Sequence, residues 1–134
     1  MTLARIVLGV SGLLFAGYGF ACLISPDLPA GYAGIELPGA SGATEVVAMY
    51  GGLQLAMGIL FLRTAAVPAN VMLGLIVLVT LVGGLALGRA FGLMVHGASE
   101  YNIGAIAYEA STTILGVVSI RLIARSADMA PANP

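Results

Sequence analysis

Residues 69–125 read ANVMLGLIVLVTLVGGLALGRAFGLMVHGASEYNIGAIAYEASTTILGVVSIRLIAR. From Ala69 to Val95 the one charged side chain is Arg89. From Ile103 to Ile123 the charges are Glu109 and Arg121. Each run approaches the ~20 residues that an α-helix needs to cross about 30 Å of hydrocarbon at 1.5 Å per residue. Backbone N–H and C=O groups find no partners in lipid except one another, so such runs are helices. Gly97 to Asn102 between them is a tight turn. The stretch therefore predicts an antiparallel helical hairpin inside a membrane. Barrel strands would show as ~10-residue alternating segments, and none appear.

Two further apolar runs precede the hairpin. Leu3 to Ser25 is closed by Pro26, which cannot continue a helix. Thr44 to Leu62 stops at Arg63, and Thr64 to Pro68 is a turn. The expected fold is an all-α, four-transmembrane-helix bundle with up-down-up-down topology over residues 1–125. Residues 126–134 read as a disordered C-terminal tail. Pro26 to Gly42 is a long loop rich in proline and glycine, on the opposite side from the arginine-bearing ends. It fits either a lid or a plain connection.

Composition supports the same class. Of 134 residues, 60% are hydrophobic and 8% charged, against about 25% charged in an ordinary soluble domain. Mean hydropathy is +1.06. Such a chain cannot cover a soluble enzyme's surface. It also lacks the dense basic patch of a nucleic-acid binder, so no nucleic-acid partner is expected. The single Cys22 forms no intrachain disulfide and no cysteine metal site. The first run is longer than the ~7–15-residue core of a signal peptide. Gly19 stands where a lipoprotein cleavage site wants a large aliphatic residue, so Cys22 reads as a core residue.

The basic residues orient the bundle. Arg5, Arg63, Arg121 and Arg125 fall at one end, and Asp27, Glu36 and Glu100 at the other. By the positive-inside rule the arginine end is cytoplasmic, with both termini inside. Small residues form stripes at helical spacing: Gly9, Gly12, Ala16 and Gly19; Ala48, Gly52 and Ala56; Gly84, Gly88 and Gly92. Such faces let helices approach closely in a membrane. The expected use is packing of the bundle, with a homo-oligomer seam as the alternative.

Arg89 and Glu109 lie inside spans, each about seven residues from the outer end. An isolated charge at the bilayer centre costs ~2.5–3.5 kcal/mol on insertion scales. In an antiparallel hairpin centred on position 99, Arg89 and Glu109 lie at equal depth, and so do His96 and Asn102. Arg89 and His96 are seven apart, as are Asn102 and Glu109, so each pair returns to nearly one face. Glu45, near the expected start of the second helix, shares a face with Ala48 and Gly52, whereas Tyr50 and Gln54 point elsewhere. The expected site is an outward-opening polar pocket of Glu45, Arg89, His96, Asn102 and Glu109, with Tyr18 and Tyr108 nearby.

Each of these residues also has a plainer reading. Arg89 and Glu109 can be a structural ion pair. Glu45 can favour a helix dipole. His96 can cap its helix, and Tyr101 can belong to the interfacial aromatic belt. Two carboxylates about one arginine could support acid–base chemistry on a small lipophilic molecule. No HExxH, P-loop or nucleophile-elbow motif is present, and no cofactor or metal is implied. The acid-free inner half argues against a proton channel.

Glu45-Val-Val-Ala-Met-Tyr50-Gly51-Gly52, followed by Gln54 and Gly58, together with Arg89 and Glu109, resembles a family of small four-span bacterial membrane proteins of unknown function. That family is similar in architecture to DoxX-like proteins. The resemblance covers the chain to about Arg125. It implies four spans and a bacterial inner membrane, and no assigned reaction. Family members often carry a basic residue between the Glu and the Tyr, and here Val46 to Met49 are apolar. The partners that follow are the lipid bilayer, a small lipophilic molecule, and a homo-oligomer or larger membrane complex to which the chain would be an accessory subunit.

Overall fold

The computed structural model describes residues 1–37 and 39–128. The regular structure of these residues is entirely helical. Helix α1 spans Thr2–Ile24, α2 Leu28–Ala33, α3 Gly39–Val46, α4 Leu53–Ala66, α5 Val71–His96 and α6 Glu100–Asp128. A π-helical turn, Val47–Gly52, joins α3 to α4. A 3-10 turn, Pro68–Asn70, leads into α5. Four helical stretches are long and apolar enough to cross a membrane: Thr2–Ile24, Gly39–Ala66, Pro68–His96 and Glu100–Ser126.

The spans outrun the apolar runs that announce them. The second begins at Gly39 rather than near Thr44, which shortens the loop, and α2 occupies part of what remains. The fourth runs through Asp128, so the helix enters the expected tail, with Ser126 Oγ bonding back to the Leu122 carbonyl. Residues 129–134 lie outside the described residues. Polar residues extend a transmembrane helix wherever it leaves hydrocarbon, because each added turn still satisfies its own backbone.

The tightest packing is between α1 and the second span. Gly12 and Gly19 meet Gly58 and Gly51 across it. A Cβ on Gly58 would lie 2.7 Å from Ala16 Cα, and one on Gly19 would lie 2.8 Å from the Gly51 carbonyl oxygen. Deeper in, Phe15 packs edge-on against Phe61 with centroids 5.7 Å apart. Ala4, Val7, Leu8, Met57, Val71, Leu75, Leu78 and Val82 complete the core. At the arginine end, Arg5 Nε donates to the Ala65 carbonyl at 2.8 Å. A cation thus meets the exposed carbonyls at a helix C-terminus.

The small-residue stripe expected to pack the second span does not do so. Ala48, Gly52 and Ala56 are exposed, and so is Glu45. The contact face is Gly51, Leu55 and Gly58. The buried residues Val46 and Gly51 are five apart because the π-turn takes an extra residue. A helical wheel at 3.6 residues per turn misplaces everything upstream of that turn by roughly 100°.

On α5 the core ends at Val82. All five buried residues of that helix lie between Val71 and Val82, and none in its outer half. The third stripe, Gly84, Gly88 and Gly92, packs against nothing: a Cβ on any of them would meet no atom within 4 Å. Gly58→Ala is therefore expected to lower stability by about 1–3 kcal/mol. Gly84→Ala should leave it unchanged or raise it by up to ~1 kcal/mol. Unfolding midpoints in detergent micelles check both.

Candidate functional site

Leu75, Val82, Arg89 and His96 recur every seven residues along one face of α5. Leu75 and Val82 are fully buried. The same face carries Arg89 into the outer half, where Glu109 of α6 meets it at equal depth. Arg89 Nε donates to Glu109 Oε2 at 2.9 Å, and Nη2 donates to Oε1 at 2.7 Å. Nη1 donates to Asn102 Oδ1 at 2.7 Å. The arginine side chain is 22% exposed and the glutamate 7%. Two parallel N–H···O bonds of this kind are the strong, geometrically specific form of an arginine–carboxylate pair.

The turn supplies the next layer. Ser99 precedes α6, and its Oγ accepts from the Asn102 backbone N–H at 3.3 Å and from Asn102 Nδ2 at 3.0 Å. This is N-capping by serine. It also fixes the asparagine so that its carbonyl oxygen faces Arg89. A guanidinium has five N–H donors. Glu109 and Asn102 engage three, leaving one on Nη1 and one on Nη2.

Aromatic residues close one side. The Arg89 guanidinium carbon lies 5.6 Å from the centroid of the Tyr101 ring, within cation–π range. Tyr101 packs against Tyr32 of α2, with centroids 4.7 Å apart. The Tyr32 hydroxyl is hydrogen-bonded to that of Tyr18 on α1. The loop helix is thereby tied to both α1 and the start of α6, over the outer face of the ion pair. Burial pushes the Tyr32 phenol up from its ordinary value, the hydrogen bond with Tyr18 works against that shift, and nearby Tyr101 adds to it. Tyr32 therefore stays a neutral hydroxyl through the physiological range.

Beside Arg89 a groove of about 590 Å³ runs along α5. Leu81, Gly84, Leu85 and Gly88 form its apolar length, and Arg89, His96 and Asn102 its polar end. It is open to the side, where α5 has left the core.

The structure thus joins Arg89, Asn102 and Glu109 directly and places exposed His96 at the rim. His96 sits in the last turn of α5, before Gly97, whose φ of 89° ends the helix. His96 makes no bond to Asn102, its partner in depth, because Asn102 turns to Arg89. Tyr108 packs against the apolar core, with its hydroxyl buried and unpartnered. Glu45 is not part of the cluster: it is exposed, lies past the first turn of its span, and pairs with no arginine among the described residues. The arrangement of two carboxylates about one arginine is therefore not formed.

Sequence reading missed Tyr32, Ser99 and the site role of Tyr101. Ser99 carried a signal, a capping serine three residues before Asn102. Tyr32, the one aromatic residue of the Pro26–Gly42 loop, gave a hint but no position.

The molecule is thus a four-helix bundle of membrane-spanning length, with a buried ion pair in one half and a lateral groove beside it. The chain belongs to the family described as a domain of unknown function, DUF4345, whose family model matches residues 3–120. No match is found among curated proteins or among solved structures.

Breaking a buried ion pair by removing one partner costs ~3–5 kcal/mol, whereas replacing both with apolar groups is often near neutral. Arg89→Met is expected to lower the unfolding free energy by an amount of that order. Arg89→Met combined with Glu109→Leu should recover most of the loss. Denaturation of the single and double variants in micelles measures the coupling.

Proposed function

We propose that this chain binds a small lipophilic molecule in the lateral groove of α5, with the apolar part along Leu81 to Gly88 and the polar end at Arg89. The observation that carries this reading is the pairing of an open, side-chain-poor apolar channel with unused guanidinium N–H groups at its end. Ligand sites in bundles are mostly apolar clefts with a few fixed polar groups. The arginines at the far end support an outer-leaflet position for the groove, by the positive-inside rule. The molecule would enter sideways from the bilayer of a bacterial inner membrane. Binding is favoured over transformation. Both oxygens of Glu109 are occupied by Arg89, and Glu45 does not reach the site.

One observation favours a second reading. The Gly84, Gly88 and Gly92 face is unpacked, and such a face also suits the close approach of another helix. In that case the chain is an accessory subunit of a larger membrane complex, or half of a homo-oligomer.

Mild extraction from native membranes, with mass spectrometry of what copurifies, separates the two. A defined apolar small molecule is expected with the wild-type chain and is lost from Gly88→Leu, which fills the groove without touching Arg89. Unselective membrane lipid in equal amounts from both would contradict the binding reading. A stoichiometric protein or a second copy, without a small molecule, would favour the subunit reading.

A further inference from the structure

The polar end of the groove has a definite chemical preference, and the inference drawn from it rests on the groove reading above. We propose that the bound molecule presents a neutral carbonyl oxygen to Arg89, as a ketone, quinone or ester does, and not an anionic head.

Charge is the first argument. Arg89 is already met by one full negative charge, held side-on at 2.7 and 2.9 Å. The pair together is neutral. A carboxylate, phosphate or sulfonate arriving at the same guanidinium would sit beside Glu109, and like charges at short range in a low dielectric repel strongly. No second arginine compensates: the other four lie at the opposite end of the spans or outside them. His96 lies seven residues further along α5, about 10 Å at 1.5 Å per residue.

Hydrogen-bond polarity is the second argument. The positions left on Arg89 are N–H donors, one on Nη1 and one on Nη2. Arginine accepts nothing. The Asn102 carbonyl oxygen is spent on Arg89, and the Ser99 hydroxyl oxygen receives two N–H groups. At Arg89 itself the site therefore offers donors, and a head that bonds there must accept. A carbonyl oxygen, with two lone pairs, accepts from such N–H groups without adding charge.

Shape is the third argument. Gly84, Gly88 and Gly92 leave backbone open to the groove, and Leu81 and Leu85 flank it. A flat ring or an alkyl chain can lie along this floor with its oxygen at the arginine. Tyr101 covers one face of the guanidinium, which leaves its edge as the approach.

The test uses two photoactivatable probes with the same alkyl chain and a diazirine at the same carbon. One ends in a methyl ketone and the other in a sulfonate, which stays anionic at all relevant pH. The full-length chain is held in lipid nanodiscs and labelled sites are mapped by mass spectrometry. The ketone is expected to label the Gly84–His96 segment saturably, on the order of tenfold more than the sulfonate. Gly88→Leu should abolish both labels. Glu109→Gln, which leaves Arg89 uncompensated, should turn the preference towards the sulfonate. Equal or stronger saturable labelling by the sulfonate in the wild type would overturn the neutral-head inference and leave the groove reading standing. Absence of saturable α5 labelling by either probe would overturn both. The wild-type ratio decides the matter even where Glu109→Gln fails to fold.

Discussion

A guanidinium placed among apolar spans has to be met by a countercharge or kept near water, because hydrocarbon offers it nothing. Arg89 is met. Glu109 takes two N–H groups on one edge of the guanidinium and Asn102 a third N–H, and the rest of that half of the bundle follows from the arrangement. It holds α5 and α6 at the register in which residues ten from the turn face one another. It gives Asn102 a task that Ser99 must support through the cap of α6. It sets the plane on which Tyr101 lies, and through Tyr101 it gives α2 a place to rest.

The bundle is held in two different ways. Along most of its length α1 closes on the second span to backbone contact through Gly12, Gly19, Gly51 and Gly58, and α5 joins them in its first half through Val71, Leu75, Leu78 and Val82. Dispersion and shape do the holding there, as expected where lipid tails are as apolar as leucine. On α5 the packing stops at Val82, and polar bonds to α6 replace it beyond that point. One consequence is an open flank on α5 with glycine where side chains would otherwise fill the space. The same residue type has opposite uses on two helices. Gly58 brings backbones together, and Gly88 keeps a surface clear.

The spans and the Arg89–Glu109 pairing were legible because both rest on local rules. Hydropathy marks the spans, and equal distance from a tight turn marks residues of equal depth. Facing was less legible. The wheel for the second span fails at Val47–Gly52, since a π-turn leaves no trace in composition. Glu45 was drawn into a pocket it does not enter because its face, shared with Ala48, Gly52 and Ala56, is exposed rather than packed in the bundle. The contact face, Gly51, Leu55 and Gly58, is interrupted by a leucine and so does not stand out by spacing; only the partner helix selects it. Tyr32 was out of reach for another reason: its place depends on how a short helix in a proline-rich loop folds back, which is a tertiary matter.

The central claim is that Arg89 and Glu109 form a closed pair within the bilayer. Solid-state NMR on the chain in lipid bilayers, with nitrogen-15 in arginine and carbon-13 in glutamate, reads this contact as a dipolar coupling between guanidinium nitrogen and side-chain carboxyl carbon. One strong coupling is expected, present in the wild type and absent from Glu109→Gln. A wild-type spectrum without that coupling, its guanidinium signals all averaged by water exchange, would contradict it.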